Sequence, residues 1–493
     1  MTEIAQQPNL LRSVFDAAHM ASMKNLSMQS GHDEQYLDSD HFALEFAYTY
    51  SGMLRFCADR DRWMHWNGHV WKTQQRDGGD AYEKAKEQQR ELFFRQPEET
   101  DEEGKTRRKF SRARYTERSV ITNLLKQAQT DPRLAVMSDQ LDSQAEQLNT
   151  PGGIVNLRTG EISLPDPNQL HSMSTAVSPD YTMEIPRWRT FLHTTFQGDE
   201  EMIEYIHRLF GLATIGQVYE HIIPLFHGEG ANGKTVMLET VMKLLGDYAT
   251  IGNKKLIIKT RFEDHDTIKM TLKGKRLVIF SETNADDGFD SAAAKDLSGG
   301  GQISGRYMRA DEVTFDPTHT MVLMTNDLPN APADDYGFWR RLRHIPFSHV
   351  VPEKNRIVGL QDLLVQEEGP GILAWMVEGA KKFLADTMPG KDGLKTPQRV
   401  LDATKEYRES QDHMGQFMSE RTEKRPDAKV LTTDFRDQFV AWALANGETE
   451  AAKISSEEIG KYLRRKGFVK KASNGKKYYV GLEITVRATK IDN

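Results

Sequence analysis

The sequence predicts an α/β fold organised around a parallel sheet, and two observations carry that expectation. Four short apolar runs recur through the middle of the chain: IIPLF at 222–226, RLVIF at 276–280, TMVLMT at 320–325 and RHIPF at 343–347. Continuous apolar strands separated by helical stretches suit a parallel sheet buried on both faces. Directly after the first run comes GEGANGKTVMLETVMKLLG, residues 228–246, whose first eight residues fit G-x-x-x-x-G-K-[ST].

That motif has a physical reading. Glycines at 228, 230 and 233 let backbone N–H groups turn inward around phosphate oxygens, with Glu229, Ala231 and Asn232 completing the loop. Lys234 is expected to reach the β- and γ-phosphates, and Thr235 to bind Mg²⁺. The following VMLETVMKLL has apolar positions at 238, 241, 244 and 245, and Gly246 suits a helix C-terminus. Strand, loop and helix thus come in the order the motif requires, and ATP with Mg²⁺ is the expected ligand. Pro224 cannot donate to a sheet ladder, so the first strand is expected to begin at or just after it.

The other runs supply partners for the loop. RLVIFSETN places Glu282 just after an apolar strand, where an acid can serve Mg²⁺ and the attacking water; a simple strand-end acid is the plainer alternative. MTNDLPN puts Asn326 at the carboxyl end of its strand, facing the ligand crevice of such sheets; a turn-starting Asn before Pro329 would look the same. FWRRLRHIPF offers Arg340 and Arg341, either of which fits an arginine acting on a neighbouring subunit's nucleotide or an ordinary surface arginine.

The flanks are less specific. The first ~40 residues are polar and Met/Ser-rich. HFALEFAYTYSGMLRF has helical spacing, and WMHWNGHVWK reads as a hairpin turning at Asn67-Gly68, with Met64, Trp66, His69 and Trp71 on one face. Those aromatics fit a small core better than a base-stacking surface. Residues 77–103 read as a solvated helix followed by a loop, QPEETDEEG. A second hairpin is expected at IVNLRTGEI, 154–162, then helices around 188–195 and 200–216. At the other end, SSEEIGKYLRRKGFVKKASNGKKYYVGLEI reads as helix, turn and a hairpin tipped by Asn474-Gly475, the pattern of a winged helix. LTTDFRDQFVAWALANG before it supplies further helix.

Bulk numbers set bounds. The chain has 493 residues, enough for about three domains, with 38% hydrophobic and 28% charged residues. No apolar run approaches the ~18 residues of a membrane span, and no secretory signal is expected at MTEIAQQPNLLRS. One cysteine, Cys57, excludes an internal disulfide and a thiolate zinc site, so a cytoplasmic setting is expected. Net charge is −7, yet 461–477 carries eight Lys or Arg and no acid, and 105–118 is nearly as basic. Local patches, not the total, set the field a polyanion meets. A solvated helix face is the plainer reading of the second patch.

In order, GEGANGKT, RLVIFSETN, AKDLSGGGQISGRYMR, TFDPTHTMVLMTNDLPN and FWRRLRHIPF resemble the superfamily 3 helicase domain. They are more closely similar to its phage and plasmid primase-helicase branch, shared with the poxvirus nucleoside triphosphatase. WNGHVW, IVNLRTGEI and PRWRTFL resemble the domain preceding the helicase in that family. The resemblance covers about residues 40–390, most specifically 190–350. It implies an AAA+-like P-loop ATPase core at 186–350. The expected neighbours are an N-terminal α+β domain at 41–185 after a helical or poorly ordered 1–40, a helical extension at 351–420 and a winged-helix module at 421–493.

The resemblance also implies roles. Lys234 and Thr235 become the phosphate-loop residues, Glu282 the acid, Asn326 the sensor and Lys295 a lysine ahead of a hairpin at about 302–315. That hairpin, with Arg306 and Arg309, is expected to line the channel of a hexameric ring and grip single-stranded DNA. The C-terminal end, beyond the resemblance, reads independently: Arg464, Arg465, Lys470, Lys471, Lys476 and Lys477 are expected to contact DNA, including forked duplex, with protein contacts the alternative for this module. Many relatives have two acids where this chain has Ser281-Glu282, which leaves Mg²⁺ to Thr235 and Glu282. Larger relatives carry a polymerase-like primase domain, for which there is no room before residue 40, so a separate primase is an expected partner. The function expected is an ATP-driven DNA helicase of phage or plasmid replication; the alternative is an ATP-switched initiator or loader that binds DNA without processive unwinding. A metabolic phosphotransferase would leave the arginines, the hairpin and the C-terminal module without a role.

Overall fold

The computed structural model describes residues 39–75, 79–96, 98–100, 102–108, 111–259, 267–283, 287–307, 311–387, 391–449 and 451–485. Contacts divide the chain into two units, one of residues 1–143 with 165–172, the other of 144–164 with 173–493. No helix among the described residues is long and apolar enough to cross a membrane.

In the first unit, a four-stranded sheet runs in the order Trp71–Thr73, Arg62–Trp66, Leu54–Cys57, Ala135–Val136. Alternation sends its aromatics to opposite faces. Trp63 and Phe56 pack with Phe46, Ile121 and Leu124 on one side; Met64 and Trp71 pack with Cys57 and Val136 on the other. The tryptophans therefore serve as core, and Trp71 Nε1 donates to the Pro167 carbonyl at 2.8 Å. The turn differs from the two-residue expectation. Trp66 pairs with Trp71, so the loop is residues 67–70 and His69 sits in it, off the strand. Asn67 explains the longer loop: its Oδ1 accepts from the N–H groups of His69 and Val70 at 3.1 and 2.9 Å. The expected loop after helix Gly79–Arg95 is also partly a hairpin, Glu98–Thr100 against Thr106–Arg108, with Arg108 ion-paired to Glu98 at 2.8 Å.

The second unit holds the expected parallel sheet. Its strands are β1 (Ile223–His227), β2 (Ala249–Ile251), β3 (Leu277–Thr283), β4 (Thr320–Thr325) and β5 (Leu342–Pro346), in spatial order 2-3-4-1-5, all parallel. Alternate residues feed two cores. Leu277, Ile279 and Val322 join a cluster with helices on one face; Val278, Phe280, Met321 and Leu323 join a second on the other. That double burial is why these strands read as unbroken apolar runs. Four of the strands match the expected runs within two residues at either end, except that β3 extends through Glu282. The short edge strand β2 was not expected. Strand β1 starts one residue before Pro224. Ile223 N–H donates to the Arg341 carbonyl beside β5, and pairing with β4 begins only at Leu225, so the proline breaks no bond of that ladder.

Helices α1 (Pro186–Phe196), α2 (Glu200–Leu212), α3 (Lys234–Leu245) and α4 (Leu360–Asp386) pack on the first face. Glycines set how close α2 and α4 come. A Cβ on Gly211 would lie 2.2 Å from Ala380 N, and one on Gly379 2.2 Å from the His207 carbonyl, so a larger residue at either would force the helices apart. The hairpin at 154–162 forms as expected, Gly153–Asn156 pairing with Ile162–Ser163. So does the hairpin Ile303–Arg306 with Glu312–Phe315. Past α4, helix Gln398–Ser410 packs against β5. The last module runs helix His413–Arg421, strand Thr422–Leu431, helices Thr432–Ala445 and Ser456–Arg465, then the hairpin Val469–Ser473 and Lys476–Ile484. Its core centres on Phe417, Phe435, Ile459 and Tyr479.

Candidate functional site

The glycine loop leaves the carboxyl end of β1 and enters α3. Gly233 caps that helix with φ 90° and Gly230 has φ 73°, conformations that glycine adopts without strain. Gly228 is needed for another reason: a Cβ there would lie 2.3 Å from the Phe347 carbonyl. Asn232, buried, donates Nδ2 to that same carbonyl at 3.2 Å. Val351 N–H donates to the Ala231 carbonyl at 2.9 Å, tying the loop to the chain after β5. Glu229 is exposed.

Lys234 points back into the loop and is only 3% exposed. Its ammonium donates to the Gly228 carbonyl, to Asn232 Oδ1 at 3.1 Å and to Asn326 Oδ1 at 3.1 Å. Burial pulls its pKa down to about 8. Asn326 follows β4, the neighbour of β1, so the loop lysine and the expected sensor meet where two adjacent strands end. Thr235 is exposed on the first turn of α3. Glu282 lies within the last residues of β3, not after it, where the ladder to β4 shifts register between Phe280 and Thr283. Its side chain lies outside the described residues. The hydroxyl of Thr235 and the carboxylate of Glu282 are the hard oxygen donors that suit Mg²⁺.

Two features here had no signal in the sequence. His227, preceding the loop, shares a hydrogen bond through Nδ1 with His344 Nε2 at 3.1 Å, and His344 Nδ1 donates to the Ala403 carbonyl at 3.1 Å. Burial, then His344 and Lys234, push the His227 pKa down to about 4, so it is neutral at pH 7. Beside the loop lies a cavity of about 620 Å³ whose lining includes Thr190, Phe191, Thr194, Val236, Asn355 and Leu360. Phe191 stacks on Trp188 with centroids 5.4 Å apart.

The remaining candidates sit elsewhere. Arg340 and Arg341 precede β5 and are level with the start of β1, at the sheet's amino edge. Arg340 is exposed, whereas Arg341 Nη1 donates to the Gly337 carbonyl at 2.8 Å. Lys295, on helix Ser291–Leu297, is ion-paired with Asp335 at 2.7 Å. Asp335 also caps the arginine-bearing turn, accepting from Phe338 N–H at 3.0 Å. Arg306 ends its strand, exposed; Arg309 lies outside the described residues. Arg464, Lys470, Lys471, Lys476 and Lys477 are exposed on the C-terminal module, and Arg465 is held by Asp334 at 2.7 Å.

Comparisons with known proteins converge on one region of sequence space. A family described as D5 N terminal like matches residues 43–197, and a family described as of unknown function (DUF5906) matches 226–341. A candidate helicase of Acanthamoeba polyphaga mimivirus is 28% identical over 244 residues, covering 45% of this chain and 25% of the relative. A candidate primase of African swine fever virus is 24% identical over 360 residues, covering 68% of this chain and 37% of the relative. Over these segments the chain is similar to D5-like primase-helicases. It spans between a quarter and two-fifths of the length of these relatives. Among solved structures, the NrS-1 C-terminal region aligns with a TM-score of 0.47 at 12% identity, covering 91% of this chain and 100% of that one.

Proposed function

We propose that the chain is an ATP-dependent DNA helicase of the superfamily 3 type, working as a hexameric ring on single-stranded DNA in replication within a host cytoplasm. One observation carries the reading: Lys234 and Asn326 meet at the adjoining carboxyl ends of β1 and β4. A buried ammonium that now satisfies itself on a carbonyl and two amides would trade them for phosphate oxygens, in surroundings where charge acts strongly. Asn326, released from Lys234, would orient the attacking water. Thr235 and Glu282 would hold Mg²⁺, which neutralises phosphate charge when bound. The neighbouring cavity would take the base and ribose, with Phe191 as its aromatic wall. The names of the viral relatives support a helicase or primase role.

The parallel sheet with the loop after an interior strand supports an AAA+-like core. The helix, strand, two helices and hairpin of the last module support a winged helix. The arginines support assembly. Six residues separate Arg341 from the level of the loop along parallel strands, about 20 Å at ~3.3 Å per residue. An arginine there would act on the nucleotide of a neighbouring subunit. The hairpin bearing Arg306 and Arg309 would track phosphates whatever the base sequence. Forked duplex is the expected substrate, and a separate primase the expected partner.

Strand displacement on a forked DNA, with ATP and Mg²⁺, tests the reading. Wild type unwinds and Lys234→Ala does not. Absence of unwinding, with DNA-stimulated hydrolysis intact, would replace the motor by an initiator or loader.

A further inference from the structure

The basic residues of the C-terminal module fall into two groups with different surroundings. Those on helix Ser456–Arg465 are largely answered within the chain. Its first turn carries Glu457 and Glu458, Lys461 pairs with Glu457 at 2.7 Å, and Arg465 pairs with Asp334 at 2.7 Å. An acidic helix N-terminus with two of its three cations already paired is a poor face for phosphates.

The sheet beside it differs. Strand Lys476–Ile484 lies between Thr422–Leu431 and Val469–Ser473. Its register sets Tyr478 opposite Lys471, Lys476 opposite Ser473, and Val480 opposite Lys429. Residues paired across strands share a face, and successive residues alternate. Tyr479 is 2% exposed in the module's core, so Lys429, Lys471, Lys476 and Tyr478 occupy the outward face. The three lysines are exposed, and none has an ion pair among the described residues. Lys429 Nζ lies 5.3 Å from the centre of the Tyr478 ring. The acid Glu483, at the far end of the strand, is held by Arg425 at 2.6 Å. The tip is a tight turn with Asn474 and Gly475 both left-handed, φ 49° and 70°, which fixes the two strands beside it.

We propose that this outward sheet face binds single-stranded nucleic acid, the lysines contacting successive phosphates and Tyr478 stacking on a base. Charge complementarity selects a polyanion. The ring among the lysines selects a single strand, because a duplex keeps its base faces stacked inside and offers the tyrosine nothing to stack on. The inference rests on the proposed helicase function and on the DNA contact expected of this module from its sequence. It drops the helix residues Arg464 and Arg465, keeps Lys471 and Lys476, and adds Lys429 and Tyr478.

The test uses the full chain. Fluorescent oligothymidylate and a blunt duplex of equal length are titrated at several salt concentrations, with basal ATP hydrolysis measured alongside. Lys429→Glu/Lys471→Glu/Lys476→Glu should weaken single-strand binding at least tenfold and flatten the log–log salt slope by about 2, at ~0.7 per phosphate contact. Tyr478→Ala should cost roughly 5- to 100-fold, and Lys461→Glu/Arg464→Glu should change little. Crosslinking to 5-bromodeoxyuridine-substituted single strand should label the peptide 469–485. Wild-type affinity in the triple variant, a loss confined to duplex, or a loss confined to the helix double variant would each overturn the face. A wild-type chain that binds neither DNA would remove the face and the module's DNA role together. Basal hydrolysis scores the nucleotide site separately and should be unchanged in every variant.

Discussion

The two edges of the parallel sheet are built in opposite ways. At the carboxyl edge, polar groups converge on a buried cation: Lys234 donates to buried Asn232 and to Asn326 behind a glycine loop. At the amino edge, Arg340 stands exposed beside Arg341. A buried cation without a counter-charge is costly and calls for an anion; an exposed arginine calls for nothing within its own chain. The difference teaches that one edge is ready for phosphates while the other offers its charge outward, so a complete site on this account needs two copies of the chain.

That contrast can be broken at either edge, and the largest effect is expected at the loop. Lys234→Ala should reduce phosphate release from ATP by at least a hundredfold, since a preorganised charge contributes on that order; circular dichroism would show whether the fold is kept. Next, Arg340→Ala should lower kcat about a thousandfold in the assembled protein. Arg341→Ala should cost less, because Arg341 is tied to the Gly337 carbonyl. A larger loss at Arg341 would reverse the assignment between the two. Asn326→Ala should lower kcat about a hundredfold with little change in KM. Phe191→Leu should raise KM for ATP several-fold and spare kcat, which steady-state kinetics would resolve.

Proton linkage sharpens the same contrast. Burial holds Lys234 near pH 8, below its usual 10.5. Between these values the unfolded chain binds more protons than the folded one, so stability rises with pH across the window. The cost of the buried charge is fully present below 8 and fades above it. Urea unfolding at pH 7.5 and 9.5 should show this rise in wild type and a smaller one in Lys234→Met. Equal slopes would mean that the lysine is not desolvated in the unliganded protein.

Much of this was legible because the physics is local. The loop, its helix and the apolar strands announce themselves through glycines, spacing and unbroken hydrophobic runs. Asn326 was legible as the end of such a run. The rest depends on what meets what in space. Strand β2, at three residues, is too short for a period and lies on the edge. The His227–His344 contact joins positions 117 apart in sequence, and the cavity beside the loop draws on α1 and the chain after β5. Nor could spacing tell that Asp334 and Asp335 would claim Arg465 and Lys295. In the same way, the turn at Asn67 is longer than its Asn-Gly pair implies because the Asn67 side chain captures two N–H groups.

The most direct test of a site shared between two edges mixes two inactive chains. Lys234→Ala lacks the loop lysine and keeps the arginine; Arg340→Ala keeps the loop and lacks the arginine. Co-expressed and co-purified, they should regain a measurable fraction of wild-type ATP hydrolysis, because some interfaces pair an intact loop with an intact arginine. Hydrolysis no greater than that of either variant alone, in complexes shown to contain both chains, would contradict the account.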